Sequence, residues 1–353
     1  MTVIERTTTL PEPFARWFAG RGWTARAHQL ELLARTRAGR SVLLIAPTGG
    51  GKTLAGFLPS LVELCGAAGL PPPASPRSAS SPAERRRLIS TGRNLRREGG
   101  LHTLYISPLK ALAVDIARNL ETPVTEMRLP IRIETRTGDT PASKRQRQRR
   151  DPPHILLTTP EQLALLLASA DAPYLFGSLK RVILDELHAL ITSKRGDLLS
   201  LGLARLFRLA PGLASIGLSA TVAEPEELTR FMVAQRDGTA GVARADLIIA
   251  AGGAEPDVSM LDTSERLPWA GHSARHALEE IYRLIKDHRT TLVFVNTRSQ
   301  AEGIFQQLWH INDDNLPIAL HHGSLDVAQR RKVEAAMATG LLRAVVCTSS
   351  LDL

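Results

Sequence analysis

Short apolar runs alternate along this chain with longer stretches in which apolar residues recur every three or four positions. The short runs Ser41–Ile45, Thr103–Ile106, Ile155–Thr158, Val182–Leu184 and Ala214–Leu218 read as buried strands, each closed by a turn signal or a polar cluster. Helical periodicity fills the intervals, the pattern of an α/β fold with a parallel sheet covered on both faces. A second series follows Ala251–Pro256: Thr291–Val295, Pro317–Leu320 and Ala344–Cys347, again with helices between. Two lobes are therefore expected, 1–243 and 244–353, with a hinge near residues 240–256. Residues 71–99 break the pattern: rich in Pro, Ser and Arg and poor in apolar residues, they predict a mobile surface insertion.

Charge narrows the partners. Lys and Arg number 44 against 35 Asp and Glu, a formal net charge of +9, which favours a polyanion, nucleic acid ahead of a membrane surface. The run Lys144–Arg150 fits a phosphate contact and a solvated helix face equally well. The two cysteines, Cys65 and Cys347, form no metal spacing and no disulfide framework, so a reducing cytoplasm is expected. The first residues lack a signal-peptide pattern, and no apolar run reaches the ~18 residues of a membrane span.

The motifs lie just after strand ends, the edge at which open α/β sheets bind ligands. Ala46-Pro47-Thr48-Gly49-Gly50-Gly51-Lys52-Thr53 is a glycine loop between a strand and a helix, where backbone N–H groups can wrap phosphate oxygens. Lys52 then reaches the outer phosphates of ATP, and the Thr53 hydroxyl ligates Mg²⁺. The P-loop pattern ordinarily begins with Gly, and Ala46 stands there instead. Asp185-Glu186 follows a buried strand; such a pair can simply cap a helix, but beside a P-loop it suits divided labour. Asp185 would hold Mg²⁺, and Glu186 would orient and deprotonate the attacking water. Upstream, the Gln29 amide can both donate to and accept from an adenine edge.

This series resembles the superfamily 2 helicases, and within them the Lhr-type (large helicase-related) DExH-box proteins, closest to the bacterial ligase-associated group. The resemblance rests on the Gln29 segment, Ala46–Thr53, Ser107–Leu112, Thr158–Leu163, Asp185-Glu186-Leu187-His188, Ser219-Ala220-Thr221, Phe294–Arg298, His321–Leu325 and Cys347–Leu351. It implies two RecA-like P-loop lobes, ATP and Mg²⁺ as cofactors, and His188, Ser219 and Thr221 as the coupling between ATP site and motion. It also implies backbone grips on DNA through Pro108, Lys110, Gly138 (in the loop after a strand at Ile131–Ile133), Thr159, Pro160 and Glu161 in the first lobe. The second-lobe counterparts are Asn296, Thr297, Arg298, His322, Thr348 and Ser349. Grips that close and open with turnover would step along one strand.

The chain stops at Leu351-Asp352-Leu353, within what resembles a motif that runs on in relatives, so the second lobe is expected to be incomplete. Missing arginines from that lobe would leave a fragment that binds ATP and Mg²⁺ but hydrolyses poorly. The family setting implies DNA repair beside an ATP-dependent DNA ligase and a nuclease. An RNA-remodelling helicase, a P-loop ATPase switch and a nucleic-acid-binding module with a dead ATP site stay open as alternatives, because backbone grips do not read the sugar.

Overall fold

The computed structural model describes residues 9–47, 49–67, 100–220, 224–235, 242–250, 257–263, 274–348 and 351. The 71–99 insertion, Thr48, Thr221, Ser349 and residues 240–241 and 251–256 of the expected hinge lie outside the described residues. The chain divides into two compact units, 1–254 and 255–353.

The first unit is built on a parallel sheet of seven strands among the described residues: β1 (Val42–Ile45), β2 (Thr103–Ile106), β3 (Ile133–Arg136), β4 (Ile155–Thr158), β5 (Arg181–Leu184), β6 (Ala214–Ser219) and β7 (Asp246–Ile249). Their order across the sheet is β3-β4-β2-β5-β6-β1-β7. Alternation along each strand sorts the core into two layers. Val42, Leu44, Tyr105, Ile183 and Ile216 pack on one side with helices Lys52–Ala67 and Lys110–Glu126. Leu43, Ile45, Leu104, Ile106, Val182 and Leu184 pack on the other with helices Pro160–Leu167, Leu187–Ile191 and Lys194–Leu209. Both faces are dry, which is why the central strands read as continuous apolar runs.

The two edge strands differ from the sequence reading. The strand expected at Ile131–Ile133 begins at Ile133 and continues through Glu134, Thr135 and Arg136. The sheet also gains β7, which lies past the expected lobe boundary at 243/244 and pairs with β1. Edge strands bury less of their surface, so polar residues are tolerated and the apolar signal fades.

The second unit holds a parallel sheet ordered β8-β10-β9, from β8 (Thr291–Phe294), β9 (Ile318–His321) and β10 (Ala344–Cys347). Tyr282, Ile285, Ile304, Leu308 and Val346 form one core layer, and Val345, Cys347 and Leu351 the other. Helix Arg298–His310 starts with a capping box: Thr297 Oγ1 accepts from Gln300 N at 3.2 Å, and Gln300 Oε1 accepts from Thr297 N at 3.2 Å. No helix among the described residues is long and apolar enough to cross a membrane.

Candidate functional site

The register of the first sheet gathers the motifs on one edge. Ile45 pairs with Ser219 and Ile106 with Leu184, so the loops after β1, β2, β5 and β6 leave side by side. The Ala46 N–H donates to Ser219 O at 3.1 Å, and the Asp185 N–H to Ile106 O at 2.9 Å.

The glycine loop turns tightly. Gly49 and Gly51 adopt φ of 73° and 75°, and Gly50 N donates to Pro47 O at 3.0 Å. A Cβ on Gly50 would lie 2.7 Å from that same carbonyl oxygen, so any side chain there would unwind the turn. Lys52 opens the following helix and folds its Nζ back onto Ala46 O at 3.0 Å, which places the ammonium in the concavity. Thr53 stands beside it in the first helical turn.

Three residues before the loop hold it from outside. Arg26 Nη1 donates to Gly49 O at 3.1 Å, and His28 Nε2 contacts Gly50 O at 2.9 Å, which requires the proton on Nε2. The Gln29 amide, expected to face an adenine edge, is buried. It accepts from Arg26 N at 3.0 Å and donates to Gly51 O at 3.4 Å, leaving one N–H and one lone pair. A buried amide must find partners, and the loop backbone supplies them. Arg26 and His28 escaped sequence reasoning although they share the segment with Gln29.

Asp185 is 4% exposed. Its Oδ2 accepts from the Tyr105 hydroxyl at 2.5 Å and its Oδ1 from Glu186 N at 2.9 Å. Burial pushes its carboxyl above the usual range, with the neighbouring Glu186 adding to that, while the Tyr105 hydrogen bond opposes it. Tyr105 is itself pushed well above the ordinary phenol value, by burial first and Asp185 second, so the phenol stays a donor. Tyr105 stacks on Phe57 with ring centroids 5.3 Å apart. It sits inside an apolar strand, and no sequence signal marked it.

Each Asp185 oxygen keeps a lone pair, and Thr53 adds a hydroxyl on the same edge of the sheet. That all-oxygen donor set fits a hard divalent cation such as Mg²⁺. Glu186 adopts a left-handed conformation, φ 46°, rare for a residue with a side chain. Its Oε2 lies 3.5 Å from His188 Nε2, and His188 Nδ1 lies 2.9 Å from Ser219 Oγ. The carboxylate, imidazole and hydroxyl therefore form one chain across the ends of β5 and β6.

Of the residues expected to grip a nucleic-acid backbone, those of the first unit share that edge. Lys110 Nζ is 3.3 Å from Asp139 Oδ1 beside Gly138. The Thr137–Thr140 turn is tied by Arg145, which donates to Thr140 O at 2.7 Å and Gly138 O at 2.5 Å. Thr159 is extended and precedes Pro160, the first residue of its helix. The Glu161 carboxylate is engaged by Arg195, at 2.5 Å to Nε and 3.1 Å to Nη2. In the second unit Asn296 and Arg298 are exposed after β8, and Thr297 caps its helix. His322 is buried: its Nδ1 accepts from Ser324 N at 3.3 Å, and its Nε2 lies 3.2 Å from Glu302 Oε1. The Thr348 N–H donates to His321 O at 3.3 Å, joining the end of β10 to β9.

The model of the DEAD/DEAH box helicase family matches residues 26–229, and that of the helicase conserved C-terminal domain matches residues 274–353. The ATP-dependent helicase Lhr-Core protein 2 of Thermococcus barophilus is 36% identical over 364 residues, covering 98% of this chain and 38% of its own length. The Lhr helicase/probable uracil glycosylase of Mycolicibacterium smegmatis is 35% identical, covering 98% of this chain and 24% of its own. Among solved structures, Mycobacterium smegmatis helicase Lhr bound to ssDNA and AMP-PNP superposes with a TM-score of 0.71 at 34% identity. It covers 98% of this chain and 42% of that one. The chain thus spans less than half the length of these relatives.

Proposed function

Because the chain belongs to the DEAD/DEAH-box helicases, and among them to the Lhr type, we propose that it is the ATP-driven motor of a protein that moves along DNA and separates its strands. The observation that carries this reading is the single sheet edge on which Lys52, Asp185 and the Glu186–His188–Ser219 chain meet the candidate backbone grips.

The Gly49 and Gly51 N–H groups are the ones offered to the phosphates of ATP, those of Ala46 and Gly50 being bonded to Ser219 O and Pro47 O, and Lys52 places a positive charge against the transferring group. Asp185 and Thr53 would hold Mg²⁺, which would supply charge neutralisation on the outer phosphates. Glu186 orients the attacking water and takes its proton. His188 and Ser219 pass the state of that carboxylate to the end of β6. Thr159 and Gly138 bind phosphodiester groups through N–H donors and Lys110 through its ammonium, while Pro160, which has no N–H, opens the helix whose N-terminus faces them, without reading bases. The 34%-identical structure holds single-stranded DNA, which favours DNA as the track. We assign the DNA-repair setting, with an ATP-dependent DNA ligase and a nuclease as partners, on the motif resemblance.

ATP hydrolysis by the whole protein, with and without single-stranded DNA, tests this reading. DNA should stimulate turnover, and Lys52→Ala should lower the stimulated rate on the order of 10²–10³-fold. A basal rate that Lys52→Ala removes but nucleic acid leaves unchanged would assign an ATPase switch instead. Stronger stimulation by RNA would move the track to RNA.

A further inference from the structure

The reading above leaves unexplained how the ATP site and the grips of the first unit communicate, and Arg195 links them through hydrogen bonds from the chain that follows Asp185-Glu186. The Asp185-Glu186 pair runs directly into helix Leu187–Ile191, and helix Lys194–Leu209 follows after a two-residue turn. That turn is stiff. Ser193 N and Oγ both donate to Leu190 O, at 3.1 and 2.8 Å, and Gly196 N donates to Ser193 O at 2.8 Å. Gly196 lies so close to the end of the preceding helix that an added methyl would overlap the Leu190 carbonyl oxygen. The position of Arg195 is therefore set by the helix that follows Glu186.

From there the Arg195 side chain reaches both candidate grips at once. Its Nε and Nη2 fork onto the two oxygens of Glu161, at 2.5 and 3.1 Å, and its Nη1 donates to Pro108 O at 2.6 Å. Glu161 lies in the first turn of the helix opened by Pro160, and Pro108 lies two residues before Lys110. Burial alone would raise the Glu161 carboxyl, but its hydrogen bonds to Arg195 and Thr159 more than offset this and bring it down to about 2. The carboxylate is ionised and committed to the arginine. An acid at that helix start would otherwise repel a phosphate, so its sequence assignment as a direct contact fits poorly with this geometry.

We propose that Arg195 is a positioning residue that joins the Pro108 and Glu161 segments to the helix after Asp185-Glu186, so that both grips and the catalytic carboxylates move as one body. Both side chains of the pair are more than one-third exposed, so it contributes little to stability; its product is orientation. Three donors in a fixed fork are needed, and a lysine cannot supply them.

The inference rests on the motor reading, and the experiment separates the two. In the whole protein, ATPase rates with and without single-stranded DNA are measured alongside DNA affinity with and without AMP-PNP. Arg195→Ala should reduce the DNA stimulation roughly tenfold and bring the AMP-PNP effect on DNA affinity to about twofold or less, within the usual span of coupling factors. Basal turnover and nucleotide affinity should stay within about twofold, and Arg195→Lys should not restore coupling. Glu161→Gln should lower the DNA stimulation to a similar extent, and the double variant should be no worse in that stimulation than either single one. Parallel loss of basal and stimulated rates, equal loss of DNA affinity with and without nucleotide, or rescue by Arg195→Lys would each overturn the proposal. A wild-type protein that DNA does not stimulate would instead defeat the motor reading.

Discussion

The two edges of the first sheet carry similar residues and treat them in opposite ways. At the amino edge charges are paired: Arg181 with Glu63, Arg132 with Asp151, Arg40 with Asp246. At the carboxyl edge, neither Lys52 nor Asp185 forms an ion pair among the described residues. Lys52 bonds a backbone carbonyl, and Asp185 is held by a phenol and a backbone N–H. Buried charge without a countercharge is costly, and proteins keep it where a ligand supplies the missing charge. The carboxyl edge has pairs of its own, Lys110 with Asp139 and Arg195 with Glu161, but it leaves Lys52 and Asp185 open for a phosphate and a cation.

The comparison breaks most visibly at Glu186. Glu186→Gln removes the base while keeping the shape, so ATP turnover should fall by about 10²–10⁴. Nucleotide affinity and melting temperature should stay near wild type. Steady-state hydrolysis beside nucleotide binding checks this, and turnover within tenfold of wild type would remove Glu186 from the base role.

Thr297, on the loop after β8 in the second unit, sharpens the comparison because it is both an expected backbone contact and a cap. Thr297→Ala loses the bond from Gln300 N, at a cost of about 1 kcal/mol, whereas Thr297→Ser keeps an acceptor there. Thermal unfolding of both variants separates the roles: an alanine variant as stable as wild type would mean that the cap contributes nothing.

Much of this was legible in the sequence, for a physical reason. Buried parallel strands must be apolar throughout, so β1, β2, β4 and β10 stand where their runs predicted. Polar Glu134 and Arg136 hid the true extent of β3, and β7 lay in what read as a hinge. The glycine loop and Asp185-Glu186 are local patterns, and local patterns survive in one dimension. Tyr105 and Arg195 are long-range partners: 80 residues separate Tyr105 from Asp185, and 34 separate Arg195 from Glu161. No spacing rule encodes such pairs. Gln29 and His322 show the converse, since the motif located them while the fold turned Gln29 toward the loop backbone and His322 toward Glu302.

The smallest effect is expected at the amino edge, and its pH dependence identifies it. The Glu63 carboxyl is lowered to about 2, chiefly by His102 and further by Arg181, against the opposing effect of burial. At 3.6 Å the His102 contact is an ion pair rather than a hydrogen bond, so the guanidinium of Arg181 is the firmer hold. An unfolded glutamate titrates near ~4.3, so the folded state favours the ionised form and gains stability at every pH above that value. The gain fades as pH falls from ~4.3 toward 2, where Glu63 protonates in both states. Glu63 is half-exposed and solvent screens the pair, so Glu63→Gln should cost about 0.5–1 kcal/mol at neutral pH. That corresponds to a melting-temperature loss of roughly 1–4 °C that shrinks below pH 4. DNA-stimulated turnover should be unchanged where both proteins are folded. A deficit that persists unchanged to pH 2.5 would mean lost packing rather than lost charge. A deficit in turnover would mean that the amino edge takes part in function, and the division between the two edges would fail.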